Sequence, residues 1–235
     1  MDQYCHTVLY TFFVLCIFIL IVYAHANDHY VSVDHQILTK KEVNELYWMI
    51  QQADSIFRKH GIEYFMLAGT LLGSYRHKGL MPWDDDVDIG IMNTYEDILN
   101  STEVKRSLSQ FNLVLTPKHK IEFGYKLFIK DQKYPFIDIF ICQKNRNRIE
   151  YMDKNSRELW KREFMFHDEL YPLREQPFGP LQLYGPNKPS ICLMRWFYPF
   201  CLFITKPSHH HKEDGTLLFK KNELLYKREV VLPLF

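Results

Sequence analysis

Charge of one sign, cysteine and repetition are all scarce in this 235-residue sequence. Against 28 acidic residues stand 29 Lys and Arg, a net charge of +1, and the basic residues are scattered rather than striped. No field gathers polyphosphate, so a nucleic-acid partner is not expected. Of five cysteines, Cys5 and Cys16 lie in an N-terminal apolar segment. No CxxC pair occurs, so neither a zinc ribbon nor a thioredoxin-like motif is supported. Cys192 and Cys201 could form one disulfide in an oxidising compartment, or remain buried thiols. Internal repeats and long low-complexity tracts are missing as well. What is present, 47% hydrophobic and 24% charged residues, suffices for a packed core and reads as one domain with appendages. Aromatic residues make up 16%, rings that can fill a core or stack on sugars and bases.

The N-terminus carries the compartment signal. Val8 to Ala24 is an uncharged apolar run that as a helix spans roughly 25 Å, slightly short of a hydrocarbon core. Ala24-His25-Ala26 follows with small-x-small spacing, so the run reads as either a cleaved signal peptide or an uncleaved signal anchor. The flank Met1 to Thr7 has no Lys or Arg to choose between them. Both readings deliver the rest of the chain to the lumen of the endoplasmic reticulum or Golgi, membrane-associated if uncleaved. Asn100-Ser101-Thr102 is an N-glycosylation sequon that agrees, though such triplets often arise by chance.

Periodicity then divides the chain. Residues 1–26 are the apolar segment and 27–40 a short linker. From Lys40 the apolar residues Val43, Leu46, Tyr47, Ile50, Ala53 and Phe57 recur at helical spacing, with Thr39 and Glu42 as a capping pair and Gly61 as a stop. Tyr64 to Ala68 is a short apolar run, followed by a glycine-bearing turn from Gly69 to Ser74. Val87–Met92, Asn112–Leu115, the alternating stretch Ile121–Ile129 and Phe136–Ile141 read as strands, and Tyr95–Leu108 and Asn155–Phe166 as helices. The order predicts an α/β or α+β domain over 41–185. Tyr171–Pro189 is proline-rich and reads as an extended connection, and Ile191–Thr205 as a kinked packed helix or membrane-surface segment. Residues 186–235 form a divergent C-terminal segment.

The chemistry concentrates in Ala68 to Ile91, AGTLLGSYRHKGLMPWDDDVDIGI. Asp86 and Asp88 flank Val87, and on a strand they share one face about 7 Å apart. Paired carboxylates repel unless a cation lies between them, and Mg²⁺ prefers a few carboxylates plus phosphate oxygens. Asp138 stands in Phe136-Ile137-Asp138-Ile139-Phe140, a strand otherwise apolar, where an uncompensated charge costs several kcal/mol. On a neighbouring strand it completes a three-carboxylate cluster able to hold Mg²⁺, or Mn²⁺, and to activate an oxygen nucleophile toward phosphorus. Gly69, Gly73 and Ser74 are placed to let backbone approach a phosphate, with a helix starting near Ser74, and Arg76, His77 and Lys78 follow as counter-charges. Arg76 has the planar fork that suits phosphate best. Asp84 and Asp85 are as consistent with a solvated loop as with a site. Trp83 reads as packing and His209-His210-His211 as a solvated loop.

This string, with the later Phe-Ile-Asp-Ile-Phe strand, resembles the signature of the LicD family, which includes bacterial phosphocholine transferases, fukutin and the fukutin-related protein. The resemblance covers roughly Glu45 to Phe178. It implies a nucleotidyltransferase-like α/β (α+β) fold, a mixed sheet flanked by helices. It also implies transfer of a phosphoalkyl group, such as phosphocholine or ribitol phosphate, from a CDP-linked donor to a hydroxyl of a glycan or glycolipid. By motif position the metal ligands fall on Asp86, Asp88 and Asp138, and the donor-phosphate contacts on Gly73, Ser74 and Arg76. Two departures are visible: no counterpart of the zinc-binding cysteines of the fukutin-related protein, and a divergent segment after Gly185. Two other readings stand beside this one. Asp84-Asp85-Asp86 could be the DxD of a GT-A glycosyltransferase that binds Mn²⁺ and a UDP-sugar, or the chain could be an inactive membrane-associated partner of an active homologue.

Overall fold

The computed structural model describes residues 38–81, 84–117, 124–197, 201–202, 210–211 and 217–218, with positions 12, 13 and 15. Trp83, Ile121, Phe123, His209, most of the run 8–24 and most of the C-terminal segment lie outside the described residues. Among the described residues no helix is long and apolar enough to cross a membrane.

Helix α1 (Lys40–Lys59) starts where the sequence places it: the Thr39 hydroxyl accepts from the Glu42 N–H and the Glu42 carboxylate accepts from the Thr39 N–H. This reciprocal pair satisfies two of the free donors of the first turn. Gly61 follows the helix with φ +68, the left-handed conformation glycine takes without strain. The buried stripe Leu46, Met49, Ile50, Ala53 and Phe57 packs α1 into the core.

After α1 come β1 (Tyr64–Met66), α2 (Ala68–His77), β2 (Val87–Met92), a 3₁₀ turn (Asn93–Tyr95), α3 (Glu96–Leu99) and α4 (Thr102–Ser109). Next are β3 (Leu113–Pro117), β4 (Tyr125–Ile129), β5 (Phe136–Asn145), β6 (Arg148–Tyr151), α5 (Lys154–Leu159), β7 (Met165–Phe166) and α6 (His167–Leu170). The hairpin β8 (Arg174–Phe178) and β9 (Leu181–Gly185) leads to α7 (Pro189–Trp196), and the pair β10 (His210–His211) and β11 (Leu217–Leu218) follows. The main sheet runs β1-β2-β5-β4-β3, with β6 continuing from β5 and β7 from β6. β2 and β5 are parallel and every other pairing is antiparallel, so the sheet is mixed.

Side chains alternate along each strand. On one side of β2 and β5, Val87, Ile89, Ile91, Ile137 and Ile139 are completely buried. The other side presents Asp88 and Gly90 from β2, and Asp138, Phe140 and Cys142 from β5. Helix α2 packs on β2, on β8 and on α7. Helix α7 is fixed by Arg195, whose guanidinium donates to the half-buried and buried partners Phe164 O and Glu169 Oε2, each at 2.8 Å.

Several sequence expectations are corrected here. The segment Gly69–Ser74 is helix rather than turn. The helix expected over Tyr95–Leu108 breaks at Asn100 because Ser101 N-caps α4, accepting from the Val104 N–H. The helix expected over Asn155–Phe166 ends at Leu159, and β7 follows. The proline-rich stretch after Tyr171 holds the β8–β9 hairpin. Cys192 and Cys201 are buried free thiols, not a disulfide. The sequon asparagine is half-buried, and its side-chain amide donates both to the Glu96 carbonyl (3.1 Å) and to the Tyr125 hydroxyl (2.5 Å).

Candidate active site

Strand register builds the site. Asp88 of β2 pairs with Asp138 of β5, and Asp138 pairs in turn with Lys126 of β4. Directly paired residues share a face, so the three form one row across three adjacent strands. Asp86, in the bend before β2, swings its carboxylate into this row, and oxygens of Asp86, Asp88 and Asp138 lie within 4.8 Å of one another. Burial, then the charges of Asp88, Asp138 and Asp85, pushes the Asp86 carboxyl well above the usual carboxylate range, while Lys126 opposes the shift. A divalent cation would remove that repulsion, and an all-carboxylate oxygen set matches what Mg²⁺ or Mn²⁺ takes. The residues therefore fit a metal.

Lys126 carries a second contact that the sequence did not single out. Its ammonium lies 3.4 Å from Asp138 Oδ1 and 3.5 Å from the centroid of the Phe136 ring. A lysine in an alternating strand reads as solvent-facing until the register sets it opposite an aspartate.

The chain reaches α2 through Ala68, whose φ of 41 is unusual and costly for an alanine. This turn brings the first turn of α2 to β2. The Leu67 N–H donates to the Asp88 carbonyl (3.0 Å), and the Asp88 N–H donates to the buried Thr70 hydroxyl (2.7 Å). The N-cap Leu67 has no side chain to satisfy the helix N–H groups. Instead the Asp84 carboxylate lies against Gly69: a Cβ there would sit 2.8 Å from Asp84 Oδ2. Asp84 is raised well above the usual range by burial and by Asp86 and Asp85, with Arg76 opposing, and Asp85 is buried. The solvated-loop reading of these two aspartates is corrected: they line the site.

The profile of the LicD/FKTN/FKRP nucleotidyltransferase domain matches residues 61–188, which include all three row aspartates. The chain belongs to the LicD/FKTN/FKRP family. It is 29% identical over 224 residues to an uncharacterized protein of Rickettsia prowazekii, covering 91% of this chain and 80% of that one. Similarity to transferases of named activity is confined to short segments. Over 35 residues it is 46% identical to the lipopolysaccharide cholinephosphotransferase LicD of Haemophilus influenzae, 15% of this chain and 13% of that one. Over 45 residues it is 42% identical to human ribitol 5-phosphate transferase FKRP, 19% of this chain and 9% of that one. LicD family membership suggests phosphotransfer rather than glycosyl transfer.

Within the LicD signature the structure separates residues that the sequence grouped. Asp86, Asp88 and Asp138 come together. Gly73 and Ser74 do not start a helix, because α2 begins at Ala68 and they fall in its middle. The Ser74 hydroxyl is buried and donates to the Pro177 carbonyl of β8 (2.9 Å). A Cβ on Gly73 would lie 2.5 Å from the Gly79 carbonyl oxygen, so this glycine admits the returning chain. The residues at the helix N-terminus beside the carboxylates are Gly69 and Thr70. Arg76 donates to the Cys201 carbonyl (2.7 Å), and its positive charge opposes the upward shift of Asp84.

Farther along the carboxylate side of the sheet stand aromatic rings that sequence reasoning also missed. Phe140, Tyr151 and Trp160 pack with centroids 5.3–5.9 Å apart. The Tyr151 hydroxyl donates to Glu163 Oε2 (2.6 Å), and burial pushes the Glu163 carboxyl up to about 7.

Proposed function

We propose that the chain transfers a phosphoalkyl group from a CDP-linked donor to a glycan or glycolipid hydroxyl, using a divalent cation held by Asp86, Asp88 and Asp138. The observation that carries this is the row Asp88–Asp138–Lys126 with Asp86 leaning into it. The cation, Mg²⁺ or Mn²⁺, would screen the donor phosphates and stabilise charge developing on the transferred group. The protein's own groups then have separable tasks. Thr70 and the Leu67 N–H hold the Asp88 backbone, which fixes the carboxylate row. The first turn of α2 would offer N–H groups to a donor phosphate, and Arg76 would supply charge nearby. The acceptor oxygen bonds to the phosphorus bearing the head group, the bond to the departing cytidine monophosphate breaks, and the hydroxyl proton passes to solvent. Choline and ribitol are the head groups named for the two similar transferases, and either is compatible with this chemistry.

The test offers CDP-choline and CDP-ribitol to the purified chain with Mg²⁺ and measures cytidine monophosphate release. Release that stops with a chelator is the expected result. No release from either donor, in Mg²⁺ or Mn²⁺, would support the inactive-partner reading instead.

We also propose a lumenal location in the secretory pathway, supported by the apolar run 8–24 alone. Protection of the Ala68–Ile141 region from protease in intact microsomes is the outcome expected, and its digestion there would overturn the placement.

A further inference from the structure

Lys126 does two things at once that a fixed structural lysine need not do. It pairs with Asp138, a carboxylate that the proposed function gives to the metal, and it rests on the Phe136 ring. Its side chain is 22% exposed, so it is not sealed from solvent. The flexible four-carbon stem of lysine lets that charge move by several ångströms at little cost. A divalent cation on Asp86, Asp88 and Asp138 and an ammonium 3.4 Å from Asp138 Oδ1 repel each other. A cation held there would favour release of the ammonium from the carboxylate. The Phe136 face continues to support it, because cation–π attraction does not depend on Asp138. A donor diphosphate brought to the cation would offer the ammonium a new negative partner.

We propose that Lys126 is a movable counter-charge: it holds Asp138 in place until the cation binds, and then passes to the phosphates of the nucleotide-linked donor. This rests on the proposed function and adds a donor-binding residue that the family signature near Asp86 does not contain. Substitution should therefore move two affinities in opposite directions. Without the competing ammonium the cluster should bind metal more tightly, and without its charge-assisted hydrogen bond the donor should bind more weakly.

The experiment uses the full chain, Mn²⁺ alone and then CDP at saturating Mn²⁺, with both affinities read by titration calorimetry. Lys126→Met keeps the stem and its ring packing and deletes the charge, Lys126→Gln serves if that variant does not fold, and Lys126→Arg keeps the charge. The methionine variant should bind Mn²⁺ several-fold more tightly and CDP roughly tenfold to hundredfold more weakly, with the arginine variant retaining most of the CDP affinity. Weaker binding of both ligands would mean a merely structural lysine, and unchanged CDP affinity would remove the donor contact; either overturns the proposal while the metal site stands. A parent chain that binds neither Mn²⁺ nor CDP would overturn the underlying reading together with this one.

Discussion

Asp86→Asn is expected to abolish transfer and, in the metal-free chain, to raise stability. Loss of one carboxylate from the row should cost roughly a thousandfold or more in turnover, because the cation loses a ligand and the developing charge loses its screen. The stability gain has a separate origin. Asp86 is half-buried beside Asp88, Asp138 and Asp85, so its ionised form is disfavoured in the folded chain. A neutral amide of the same shape removes that repulsion, worth on the order of 1–3 kcal/mol, or roughly 2–12 °C in melting temperature for a chain of this size. Asp138→Asn should lose activity to a similar extent and gain less, because it also breaks the pair with Lys126. Thermal unfolding in a chelator, beside turnover in Mg²⁺, separates the two effects. A variant inactive because it is unfolded would melt lower than the parent, not higher.

The same carboxylates set the pH dependence. Asp84 and Asp86 have raised folded-state pKa values, so the folded chain binds their protons more tightly than the unfolded one. That contribution to stability is fully present below the ordinary carboxylate range and is lost as pH rises through the raised values. In a chelator the chain should therefore be less stable at pH 8 than at pH 5. A divalent cation takes the place of those protons. At a hundredfold excess over its dissociation constant it should restore about 2.7 kcal/mol, roughly 5–10 °C, with the larger gain at pH 8. Glu163, pushed up to about 7, adds a loss of the same sign between its ordinary range and neutrality, but it is hydrogen-bonded to Tyr151 and outside the cluster. Its part should persist when metal is added. In Asp86→Asn the metal-reversible part should shrink and the Glu163 part remain.

How much of this was legible in the sequence follows from which signals are local. Asp86, Asp88 and Asp138 could be read because each stands among residues whose burial leaves a charge no inert explanation. Helix α1 could be read because its stripe, cap and stop agree. The start of α2 could not: Leu67 gives no capping signal, and an alanine with positive φ is invisible in a sequence. Gly73 and Ser74 consequently passed for a phosphate turn, although Gly73 is needed to admit Gly79 and Ser74 to bond Pro177. The β8–β9 hairpin was hidden by Pro177, which a two-stranded edge tolerates because no further strand needs its missing N–H. Lys126 was hidden because its meaning lies in register, a non-local property that pairs it with a residue twelve positions on.

The most direct measurement of the central claim is the melting temperature of the chain with CDP or UDP, each with and without Mn²⁺, beside an Asp86→Asn/Asp138→Asn variant. The account predicts stabilisation of the parent by CDP that requires Mn²⁺, a smaller effect of UDP, and none in the variant. Equal stabilisation by CDP in the absence of metal, or of the variant in its presence, would contradict it.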